Sequence, residues 1–87
     1  MYEVLVSREA EKYYKKQGAD TKRRLSKLFD ALETEPFNGP HIKKLHGELE
    51  GKLRYELGWL RVIYRADRKG RKVEIISIRG RGDIYKR

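Results

Sequence analysis

The sequence contains no cysteine, so no disulfide and no thiolate metal site is open to it. Imidazole is nearly as scarce. With His41 and His46 as the only histidines and no zinc-like spacing around them, neither a metal nor any other cofactor is expected. Long apolar runs are missing too: none approaches the roughly 20 residues that span a bilayer. The opening MYEVLVSREAEKYYKK carries acids where a signal sequence would carry an apolar stretch, so a cytoplasmic protein with no membrane partner is expected. No Ser-His-Asp set and no carboxylate pair stands out, which removes the usual hydrolytic sites. The 87 residues leave room for a single domain, 1–87, around one modest core.

What the chain has in excess is positive charge, and it is unevenly divided. The net charge is +9, and while residues 1–40 hold 8 Lys/Arg against 7 Asp/Glu, residues 41–87 hold 14 against 6. A field that one-sided attracts polyanions, with nucleic acid first among them.

The pattern predicts an α+β fold in the order β-α-α-β-β-β. Tyr2 to Val6 reads as a strand, and Ser7 as the N-cap of a helix over Arg8–Gln17 with Glu9 and Glu11 in its first turn. Asp20 or Thr21 is expected to cap a second helix, in which Leu25, Leu28, Phe29 and Leu32 form one apolar stripe. EPFNGPH, at 35–41, breaks it with both prolines and a glycine. From Lys52 the period becomes two: Leu53, Tyr55 and Leu57 alternate with Lys52, Arg54 and Glu56, and Leu60, Val62 and Tyr64 with Arg61, Ile63 and Arg65. DRKG at 67–70 turns the chain into a last run over Lys72–Ile78. These strands form an antiparallel sheet with the helical hairpin packed on one face.

The opposite face then carries Lys52, Arg54 and Arg61, with Arg79 and Arg81 leaving the last strand beside Tyr85. Gly80 and Gly82 mark either a turn or a close backbone approach to phosphate. Several cations and a phenol suit metal-free cleavage of RNA by its own 2′-hydroxyl, which needs a base, positive charge on the phosphorane and help for the departing 5′-oxygen. A phenol or ammonium with an ordinary pKa near 10 is in its basic form in about one molecule per thousand at pH 7, so neighbouring cations must assist. Arginine is the better clamp, which gives the phosphate to Arg61 and Arg81. Trp59 is read either as a base-stacking side chain or as a partly buried core residue.

KKLHG at 43–47, LRVIYRAD at 60–67 and the ending IISIRGRGDIYKR resemble, in order and spacing, the RelE branch of the RelE/ParE toxin superfamily over nearly the whole chain. The resemblance implies the toxin of a type II toxin-antitoxin pair that enters the ribosomal A site and cuts the mRNA there. It also implies a small RelB-like antitoxin as partner. By this resemblance Lys52, Arg54, Arg61, Arg81 and Tyr85 are the catalytic set, with Lys52 and Tyr85 competing for the role of base. Lys43, Lys44, Arg65, Arg79, Lys86 and Arg87 are expected to hold RNA or ribosome. Relatives commonly read G-H-R-R-x-V-Y where this chain has Arg79-Gly80-Arg81-Gly82-Asp83-Ile84-Tyr85, so a mechanism needing that histidine is excluded. Two other readings stand beside this one: a ParE-like gyrase inhibitor of the same fold, and an RNA-binding module without activity.

Overall fold

The computed structural model describes residues 1–80. In chain order these form β1 (Glu3–Val6), α1 (Arg8–Lys15), α2 (Ala19–Thr34), β2 (Ile42–Lys44), a 3₁₀ turn (Gly47–Leu49), β3 (Leu53–Leu57), β4 (Leu60–Asp67) and β5 (Lys72–Gly80). The sheet order is β1-β5-β4-β3-β2. The expected α+β layout holds, with two differences. Ile42–Lys44 adds an edge strand antiparallel to β3, and β1 lies parallel to β5, so the sheet is mixed.

Ser7 starts α1 as expected. Its hydroxyl accepts from the Ala10 amide at 3.1 Å and donates to the Ile76 carbonyl at 2.7 Å, which caps the helix and ties it to β5. The helix stops at Lys15, two residues early, because the amides of Lys16 and Gln17 turn back to the carbonyls of Tyr13 and Tyr14. The expected cap of α2 is corrected: Gly18 is the N-cap and offers no side chain, while Asp20 lies inside the first turn and binds Arg23 at 3.0 Å and Arg24 at 3.3 Å. In the following loop the Glu35 carboxylate accepts from the amides of Phe37 and Asn38, and those bonds hold its carboxyl below the usual carboxylate range.

The helices cover one face of the sheet. Ala10, Leu25, Leu28 and Leu32 meet Leu53, Leu60, Val62, Tyr64, Val73, Ile75 and Ile78, all buried. β3 and β4 are joined at Gly58-Trp59, between the paired residues Leu57 and Leu60. With Gly58 at φ 61° and Trp59 not left-handed, this is the two-residue hairpin that needs glycine first. A bulge in β5 at Ile76, between the pairs Ile63↔Ser77 and Tyr64↔Ile75, resets the alternation. Ile78 and Gly80 therefore stay on the buried side while Ser77 and Arg79 face out.

Tyr64 is a fully buried tyrosine in the centre of the core. Its hydroxyl donates to the Pro36 carbonyl at 2.7 Å, and burial pushes its pKa up from the ordinary value near 10. The folded state thus retains the phenol proton that the unfolded chain gives up, so this group's contribution is complete below about pH 10 and is lost as pH rises further. Tyr64→Phe leaves the Pro36 carbonyl without its donor and should cost about 1–2 kcal/mol near neutral pH. Urea denaturation from neutral to alkaline pH should show the gap between the two proteins narrowing above about pH 10.

Candidate nucleic-acid interface

On the face away from the helices, cross-strand partners line up in rows about 7 Å apart, two residues of strand rise. Lys52, one residue before the Leu53↔Tyr64 pair, comes level with Arg65, and Arg65 with Glu74. The middle row is Lys43, Arg54, Ile63 and Ser77. The third is Glu56, Arg61 and Arg79. Lys52 and Arg61 share the face but are separated by four residues of strand, roughly 13 Å. Lys44 pairs with Leu53 on the helix side, so it parts from Lys43. Arg79 is a member of β5 rather than of a segment leaving it. Arg81, Tyr85, Lys86 and Arg87 lie outside the described residues.

Three of the arginines already have acids. Glu74 sits 3.9 Å from Arg65, loosely. Glu56 Oε2 lies 2.8 Å from Arg54 Nε, yet off the line of the N–H, so the attraction is Coulombic and the buried Nε–H has no aligned acceptor among the described residues. Glu9, from α1, reaches across the end of β5 to Arg79 Nη2 at 2.9 Å, while Nη1 donates to the Ile78 carbonyl at 3.2 Å. Arg61 stands between these pairs, exposed, with no acid partner among the described residues. Among the four arginines of this face, phosphate meets the least internal competition there. No group of three or more His, Asp or Glu that could hold a metal occurs among the described residues.

A family model described as the ParE toxin of type II toxin-antitoxin systems, parDE, matches residues 4–85. The chain belongs to the RelE/ParE toxin superfamily. Its described fold agrees with RelE structures. The RelBE2 toxin-antitoxin complex of Mycobacterium tuberculosis is similar at 26% identity and TM-score 0.82, covering 92% of this chain and 98% of the relative. The archaeal RelE-RelB complex of Pyrococcus horikoshii is similar at 30% identity and TM-score 0.77, covering 93% and 96%. The RelBE complex of E. coli, at 21% identity, TM-score 0.75 and coverage of 90% and 94%, shows the shared fold. No curated protein matches the chain. The protein is therefore a type II toxin of the RelE-like branch.

The toxin's Gly80 answers a question of packing. It ends β5 opposite Leu60, buried, and a Cβ there would lie 2.6 Å from a Trp59 ring carbon and 2.6 Å from the Tyr13 hydroxyl. The glycine admits two aromatic side chains rather than a phosphate. Trp59 is 38% exposed at a hairpin tip and lies outside the core cluster, so the reading of it as a core residue is corrected. A groove of about 230 Å³ lined by Val6, Glu11, Tyr14, Ser26 and Phe29 lies by the helices and gathers no cations. The partners Glu9 and Glu56 were not legible as site residues, although Arg54 and Glu56, two apart on one strand face, carried a local signal for one of them.

Gly80→Ala should force the Trp59 ring to move and cost about 1–3 kcal/mol. Trp59 is the sole tryptophan, so its emission reports the displacement directly. An unchanged spectrum and midpoint would contradict the packing described for this corner.

Proposed function

We propose that this toxin is a ribosome-dependent endoribonuclease that cuts mRNA in the A site, and that a small RelB-like antitoxin is its partner. The observation that carries the reading is Arg61, a guanidinium fixed on a rigid strand amid other cations and free of any acid partner among the described residues. The reaction joins the 2′-oxygen to the neighbouring phosphorus and breaks the bond from phosphorus to the 5′-oxygen. The 2′-hydroxyl proton passes to a base, and the leaving oxygen takes up a proton. Arg61 and Arg81 stabilise the extra negative charge of the phosphorane, and Arg54 adds the positive charge of its guanidinium from the next row. Lys52 and Tyr85 are the candidate bases. The four residues of strand between Lys52 and Arg61 weigh against Lys52 as the base at a phosphate that Arg61 holds, and suit Lys52, Lys43 and Arg65 to the RNA backbone, while Tyr85 lies outside the described residues and its role rests on the family pattern. Lys86 and Arg87 add charge next to Tyr85, and Lys44, on the other face, serves contacts to the ribosome. No cofactor enters this scheme.

The matching of a ParE model favours gyrase inhibition as the second reading. Primer extension on a message under translation in a purified system separates them. Cuts in frame that require ribosomes are expected, with the Arg61→Ala rate down about 10²- to 10³-fold, the size of losing one charge-stabilising donor. An intact message together with blocked DNA supercoiling would overturn the nuclease reading.

A further inference from the structure

Arg61 and Arg79 are direct partners on β4 and β5, two like charges side by side on one face. Such a pair repels unless something draws one member away. Glu9 does this from outside the sheet, holding Arg79 Nη2 at 2.9 Å while the Ile78 carbonyl holds Nη1. Glu9 is placed for the task by Ser7, whose hydroxyl anchors the start of α1 beside the last residues of β5. The result is a cation in the site row whose charge is already matched.

We propose that Glu9 is a specificity-determining residue of the toxin, an internal competitor that keeps Arg79 from binding RNA phosphate off the ribosome. The inference rests on the reading above only in taking RNA as the ligand. A phosphate that engages Arg79 must displace the carboxylate and then lie near it, which disfavours weak encounters with free RNA. An RNA held in place beside the site presents its phosphate at a high effective concentration and wins the exchange. Both side chains are a little over half exposed, so the pair is a modest brake rather than a lock.

Binding of the full chain to a single-stranded RNA bearing 2′-O-methyl groups throughout, which cannot be cut, tests this by fluorescence anisotropy across a salt series. Cations that take up phosphate release counterions, each adding about 0.7 to the slope of log affinity against log salt for single strands. Glu9→Gln should bind about two- to fivefold more tightly at low salt, with a slope steeper by about 0.7. Arg79→Ala should cost less affinity in the wild-type background than in the Glu9→Gln background, where it should abolish the gain. A first-turn acid that served only the helix would lower stability when replaced and leave the salt slope alone. An unchanged slope, no RNA binding by Glu9→Gln, or an equal effect of Arg79→Ala in both backgrounds would overturn the proposal. The cleavage assay is independent: altered slopes with an uncut message would remove the nuclease reading and keep this one, and in-frame cuts with unaltered slopes would do the reverse.

Discussion

The Ser7 hydroxyl makes two bonds, and the geometry of both layers depends on them. One closes the first turn of α1, and the other fastens that turn to the Ile76 carbonyl, at the bulge in β5. β1 stops pairing with β5 at Val6↔Ile75, so the remainder of β5 would be an open edge without a neighbour. The capped end of α1 takes that place. From there α1 sends the Tyr13 hydroxyl to Gly80, where the Trp59 ring also lies, and Glu9 to Arg79 at the rim.

The sheet divides the work between its faces. Side chains pointing toward the helices form the core apart from Lys44 at the edge strand, with Tyr64 its fully buried tyrosine and Pro36 the acceptor of the hydroxyl. Those pointing away are charged apart from Ile63 and Ser77 in the middle row, and the cost of crowding like charges is offset by acids at the margins. Glu56 takes Arg54, Glu74 takes Arg65 and Glu9 takes Arg79. Individually these partly exposed pairs are worth little. Their placement matters more than their strength, because it leaves Arg61 as the arginine of that face without an acid partner among the described residues.

Much of this was legible in the sequence. Strict alternation over Leu53–Leu57 and Leu60–Asp67 revealed which residues would share a face, because a helix layer on one side imposes a period of two. β2 escaped notice because three residues carry too little pattern, and its two lysines fall on opposite faces. The parallel pairing of β1 with β5 joins chain segments about 70 residues apart, and no local pattern records it. The same distance hid Glu9 from Arg79. Gly80 sits in a stretch that reads equally as a phosphate approach or as a turn, and only the Trp59 and Tyr13 side chains decide otherwise. Arg81 and Tyr85, central to the expected site, lie outside the described residues, so their roles rest on the family pattern.

The central claim is that RNA binds the open face of the sheet. Methyl NMR tests it directly, because isoleucines mark both faces: Ile63 sits outside between Arg54 and Ser77, while Ile75 and Ile78 lie in the core. Titration with a 2′-O-methyl RNA should shift the Ile63 methyls and leave those of Ile75 and Ile78 in place. Shifts confined to the core isoleucines or to the helices, with Ile63 unmoved, would contradict the account.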